Sequence, residues 1–305
     1  MSAGKKLKIG IALGSGASRG WSHIGVLKAL AGAGIEPDVI CGTSVGAMVG
    51  AASLAGNLER LEQWVLESTQ LDLFKFFGIQ PSRAGFVDTD RFQAFLADNV
   101  IPADREIVDL PRSFAAIATD VMNGREVWLT EGNALTAVQA SMSLPGLFPA
   151  VQHSERWLVD GGLVNPVPVS VCHALGADFV IAVNLNADIV GKRDGKRASD
   201  KPDTDGSLLQ RFKRFTKQDP EPRSGTSRSG SPGTFDVVAN SINIFQDRIT
   251  RSRLAGDPPD IVITPKLAHI GLLDFHRAEE AIREGEERTL RVIDDIAAAT
   301  RPQAS

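Results

Sequence analysis

The stretch CGTSVGAMVG, residues 41–50, places one serine, Ser44, two positions after Gly42 and two before Gly46. An apolar run precedes it and a helix of small residues is predicted after it. In that setting Gly-x-Ser-x-Gly suits a nucleophile elbow, a tight strand-to-helix turn that projects Oγ outward while the glycines leave room for it. The competing reading is a glycine-padded turn in which Ser44 only caps the helix. A serine nucleophile also needs a base. Asp160, in LVDGGLVNPVP, ends an apolar strand, and Gly161 and Gly162 let the backbone come close to it. A carboxylate at the carboxyl end of a strand in a parallel sheet faces the crevice where such folds bind ligands. Asp before Gly is also a common turn cap.

Five histidines compete for the same role. His23 and His173 fall inside predicted helices and His153 in a polar turn. His269 and His276 flank the last helix, and the latter would satisfy the order Ser, Asp, His of an α/β-hydrolase triad. None sits in a glycine-bounded loop. The loop GSGASRG, residues 14–20, is the second chemical feature. A glycine-rich turn at a helix start aims several unpaired N–H groups at one point, where an anion or a developing oxyanion binds. Gly14, Gly16 and Gly20 also allow a dinucleotide reading, with Glu36 and Asp38 about twenty residues on. Against it, the acid of such a site ends the second strand, and here Gly42, Thr43 and Ser44 stand in that place.

These residues need elements that bring them together, and the hydrophobic periodicity supplies them. KIGIALG (8–14) is predicted as a buried strand, 21–33 as a helix, DVICG as a second strand and VGAMVGAASLAG as a helix stopped by Gly56. Helices are predicted over 58–77 and 90–99. Asn123 and Gly124 between two apolar runs signal a hairpin. A helix over 135–141, a strand ending at Asp160, a helix over 169–175 and a strand over 178–185 continue the alternation. The expected fold is a three-layer α/β/α arrangement around a mostly parallel central sheet. Residues 8–186 are expected to form the catalytic core. Residues 187–234 are expected as a flexible basic insert or lid, and 235–300 as helices and a strand on the same domain, the last helix spanning 275–299.

Charge and cysteine content narrow the function. A net charge of -4 gives no overall basic field, so nucleic acid is not an expected partner. Cys41 and Cys172 lack metal-ligand spacing and are expected to be buried core residues; no metal or cofactor is implied. KKLKIGIALGSGAS loosely imitates a signal peptide, but Gly10 and Gly14 break its apolar run. No stretch approaches the ~20 apolar residues of a spanning helix, so a cytoplasmic protein is expected. Within 191–234 eleven Lys or Arg face six Asp or Glu. SLLQRFKRFTK (207–217) there aligns Leu208, Leu209, Phe212 and Phe215 on one helical face, a candidate for peripheral contact with an anionic membrane. LDLFKFFGI (71–79) is a candidate acyl groove or ordinary core.

IALGSGASRGWSHIGVLKAL, CGTSVGA, ASMSLPGLFPAV and WLVDGGLVNPVPV together resemble the patatin-like phospholipases. The similarity is greatest to the short bacterial RssA-like members related to the catalytic domain of neuropathy target esterase. AGDPPDIVITP and LDFHRAEEAI extend the resemblance over nearly the whole chain. It implies a Ser-Asp dyad without histidine, Ser44 as nucleophile and Asp160 as base. It also implies an oxyanion hole at Gly14, Gly16, Ala17, Arg19 and Gly20, and hydrolysis of phospholipid or lysophospholipid acyl esters. Ser15 and Ala17 depart from the family's glycine run, which matters if either position needs positive φ. Arg19 is expected to act through its charge or by bracing the loop. A histidine-triad esterase, and a dinucleotide-binding or regulatory module with little turnover, remain the alternatives.

Overall fold

The structure is a computed structural model describing residues 7–68, 89–188 and 234–301. The expectations for 71–79, for 207–217 and for most of the insert lie outside the described residues. Along the chain run β1 (Ile9–Leu13), α1 (Ser22–Gly32), β2 (Val39–Thr43), α2 (Val45–Leu54), α3 (Leu58–Glu67), α4 (Thr89–Asn99), β3 (Ser113–Asp120), β4 (Glu126–Leu129), α5 (Ala134–Met142), β5 (Val151–His153), β6 (Arg156–Asp160), α6 (Val169–Ala174), β7 (Phe179–Val183), α7 (Thr234–Gly256), β8 (Ile261–Ile263), α8 (Ala278–Leu290) and α9 (Ile293–Thr300).

The result is the expected three-layer α/β/α arrangement. β3, β2, β1, β7 and β8 run parallel in that order. Period-two alternation sends successive side chains to opposite faces of the sheet. Ile11 and Leu13 of β1, Ile40 of β2, Phe114 of β3 and Ile181 of β7 join the larger core with α1, α2 and α5. Ala12, Cys41, Ala115 and Ala182 face the other way, onto Val169, Val171 and Cys172 of α6. Those small residues let α6 approach closely, and both cysteines are buried and free.

One pairing detail decides where the chemistry sits. Ile117 of β3 lies opposite both Thr43 of β2 and Trp128 of β4, and Ala118 lies opposite both Asp160 of β6 and Val127 of β4. β4 holds one edge of β3, so β2 and β6 must share the other. β6 is antiparallel to β3, and its end meets the end of β2 head-on. Alternation of predicted strands and helices carries no sign of this, because strand direction is a property of pairing.

The terminal helix predicted over 275–299 is divided. A short 3-10 turn at Phe275–Arg277 leads into α8, which ends at Leu290, and α9 restarts at Ile293. Asp294 and Asp295 in the first turn of α9 favour a new N-terminus there, where carboxylates meet the positive end of the helix dipole. α8 crosses α1 with backbones touching: a Cβ on Gly25 would lie 2.0 Å from Ile282 O, and one on Gly285 2.0 Å from Ser22 O.

Candidate active site

β2 delivers Ser44 at its carboxyl end, with φ 58° and ψ -125°. Such a backbone costs an L-residue about 1–3 kcal/mol and persists only where its surroundings over-determine it. Here they do. The Ser44 N–H donates to Ser141 Oγ at 2.9 Å, and that hydroxyl donates to Ile117 O at 2.6 Å. The neighbouring Thr43 Oγ1 donates to Asn165 O at 2.8 Å. The two glycines are required by contact: a Cβ on Gly46 would sit 2.1 Å from Leu13 O, and one on Gly42 2.4 Å from Ala47 N.

Ser44 Oγ donates to Asp160 Oδ2 at 2.6 Å. The other carboxylate oxygen accepts the Gly162 N–H at 2.7 Å. The Asp160 backbone is pinned on both sides, its N–H donating to Ser143 O and its carbonyl accepting from Thr119 Oγ1, each at 2.9 Å. Asp160 is 2 % exposed and Ser44 8 %. Burial raises the Asp160 pKa to about 6, against the opposing pull of the Ser44 and Gly162 hydrogen bonds. A carboxylate at that value is a stronger base than an exposed aspartate, and still ionised at neutral pH.

No imidazole stands between the two side chains. His23 is buried and its Nε2–H donates to Gly14 O at 2.7 Å. Burial lowers its pKa to about 4, so the ring is neutral and braces the loop. His269 is half exposed and bonded to Glu280. His153 closes β5, His173 lies in α6, and His276 lies in the turn before α8. The acids of the dinucleotide reading sit at the wrong end of the sheet. Asp38 accepts the N–H of Ile9, the first residue of β1, and Glu36 pairs with Arg112. The glycine loop lies at the opposite end of β1.

The loop itself divides its amides. Gly14, expected among the donors to an oxyanion, donates instead to Val183 O at 3.1 Å, because it extends the β1–β7 ladder by one residue. The Ser15 N–H donates to Pro166 O at 2.8 Å. Among the described residues the amides of Gly16 and Ala17 carry no hydrogen bond. Of the two departures from the glycine run, Ala17 holds a positive φ of 48° and Ser15 does not. Arg19 is buried and braces the loop, its Nε donating to Gly16 O at 3.2 Å and its Nη2 to Asn243 Oδ1 of α7 at 2.9 Å. Gly20 provides close packing, since a Cβ there would fall 2.1 Å from Val45 Cγ1.

Several supporting residues escaped sequence reasoning. Ser141 and Ser143 stand in the quoted ASMSLPG segment, but nothing local marks a helical serine as the acceptor for a distant amide. Asn243 and Gln246 of α7 are buried over the site, and Gln246 accepts from Asn186, which also donates to Ser15 O. A Cβ on Gly162 would lie 2.5 Å from Gln246 Nε2 and 3.0 Å from Asp160 Oδ1. The interior of α7 thus reaches the immediate neighbourhood of Asp160.

Comparison with known proteins adds an independent line. A family model described as patatin-like phospholipase matches residues 11–173. An uncharacterised NTE family protein of Mycobacterium tuberculosis is 29% identical, over 96% of this chain and 95% of that protein. The NTE lysophospholipase of Pyricularia oryzae is 26% identical over 94% of this chain, which corresponds to 18% of its own length. The crystal structure of VipD from Legionella pneumophila overlaps 95% of this chain and 67% of its own with a TM-score of 0.49 and 12% identity.

Proposed function

The chain belongs to the patatin-like phospholipase family, and from that premise we propose that it hydrolyses carboxylic esters of phospholipids or lysophospholipids through a Ser44–Asp160 dyad. The observation that carries this reading is the 2.6 Å hydrogen bond from Ser44 Oγ to Asp160 Oδ2. Ser44 Oγ attacks the ester carbonyl carbon while its proton passes to Asp160. The carbonyl oxygen, now negative, is met by the unpartnered amides of Gly16 and Ala17. The tetrahedral intermediate collapses, the ester C–O bond breaks, and the leaving alcohol takes the proton from Asp160. Water then attacks the acyl-serine with Asp160 again as base, releasing the carboxylic acid and restoring the Ser44 hydroxyl. Lysophospholipids as one of the two substrate classes draw support from the similarity to the Pyricularia oryzae lysophospholipase.

Ser44→Ala and Asp160→Asn should each lower the hydrolysis rate by about 10³-fold or more, measured on a lysophospholipid and on a water-soluble ester. A fluorophosphonate should label Ser44 in the native chain and nothing in Ser44→Ala. Near-normal turnover by Asp160→Asn, with loss on replacing His269 or His276, would return the assignment to a histidine triad.

A further inference from the structure

α7 carries its polarity inside out. Asn243, Gln246, Asp247 and Thr250, spaced along one helical face, are buried. The opposite face presents Val237, Ile244 and Phe245, which are 48 %, 46 % and 61 % exposed. Surface helices of globular proteins place their apolar stripe toward the core. Three of the four buried polar residues are accounted for by their contacts: Asn243 receives Arg19, Gln246 receives Asn186, and Asp247 pairs with Arg251, while Thr250 Oγ1 has no hydrogen-bond partner among the described residues. The exposed apolar face has no such account within the described residues. α7 itself borders the candidate site, its buried face touching the Gly161–Leu163 turn that follows Asp160.

We infer that the outer face of α7 is a docking surface for an anionic lipid aggregate, with Val237, Ile244 and Phe245 entering the acyl region. Charge selects this occupant. The exposed Arg248 follows Phe245 by one turn, and Arg251 beyond it is exposed as well but shared with Asp247. In sequence, residues 191–234, which lead into α7, carry a surplus of five positive charges in a chain whose total is -4. Basic groups beside an exposed apolar stripe are the arrangement that binds headgroup phosphates while burying apolar side chains beneath them. A protein partner without carboxylates around its apolar patch would leave those cations unused. The acyl-hydrolase reading is needed here only to explain why lipid should arrive at this site. The docking itself stands on α7.

The test uses the full chain with vesicles of phosphatidylcholine, alone or mixed with phosphatidylglycerol. The chain should co-sediment with the mixed vesicles, more weakly at high salt, and poorly with phosphatidylcholine alone. Ile244→Ser combined with Phe245→Ser should weaken vesicle binding by about tenfold or more. Hydrolysis of a water-soluble ester by that double variant should stay within about twofold of the parent, because neither residue touches the dyad. Arg248→Glu should weaken binding to mixed vesicles only. Vesicle binding by the double variant equal to the parent's would overturn the inference. So would a double variant that changes the oligomeric state in place of vesicle affinity, which would make the stripe a protein interface. A chain that cleaves the soluble ester yet ignores vesicles defeats the docking surface alone, and one that binds vesicles without cleaving any ester defeats the hydrolase reading alone.

Discussion

At Asp160 burial and hydrogen bonding pull in opposite directions, and burial wins, setting the pKa at about 6 against an ordinary 3.8. The acid limb of kcat/KM on a soluble ester should therefore fall at about pH 6, with activity lost as Asp160 protonates. A limb near pH 4 would show a base in a wetter environment. The same shift affects stability with a defined sign. A carboxyl whose folded pKa is raised contributes stability below its unfolded pKa and loses it as pH rises through the folded value. Keeping Asp160 ionised at neutral pH thus costs the fold roughly 3 kcal/mol. Asp160→Asn should be more stable than the parent at pH 7, and the difference should vanish as pH falls from 6 to 4. Equal denaturant midpoints at pH 7 would contradict this. The candidate pair Ser44 and Asp160 was legible in the sequence, because glycines at fixed offsets announce a strained turn and a close approach. Ser141 was not, because its value depends on Ile117 O and Ser44 N–H, 24 and 97 positions away.

Among the elements, the α1–α8 crossing is the tightest contact remote from the site. Gly25 and Gly285 each face a backbone carbonyl of the other helix at a distance that excludes a Cβ. Gly25→Val should force the helices apart and lower stability by about 1–3 kcal/mol, read as a drop in the thermal midpoint. An unchanged midpoint would mean the crossing relaxes freely. Helix and strand positions followed the periodicity from β1 through β7, except that the helix predicted over 58–77 ends at Glu67, where Ser68 turns extended. The other errors fell where pairing or local charge decides: the antiparallel direction of β6 and the break between α8 and α9. No 3.6-residue or two-residue repeat encodes either.

Over the whole molecule, a C-terminal helix holds an N-terminal loop. Asn243 accepts from the buried Arg19 across 224 positions, and Arg19 in turn fixes Gly16. Asn243→Ala should lower kcat several-fold with KM nearly unchanged, because on the proposed mechanism the loop amides act chiefly when negative charge develops on the substrate. A lowered thermal midpoint with kcat intact would confine Asn243 to bracing the fold. By itself the sequence determined the layer architecture, the strained serine and the carboxylate awaiting it, since these are written in short-range spacing: alternation for strands, stripes for helices, glycines for close approach. Only the tertiary structure decided that β2 and β6 end against each other on one edge of β3, that the Gly14 amide is already taken, and that α7 turns its polar face inward. The reason is physical: local spacing records what one segment prefers, whereas a hydrogen bond between distant segments exists only after the sheet has chosen its pairing.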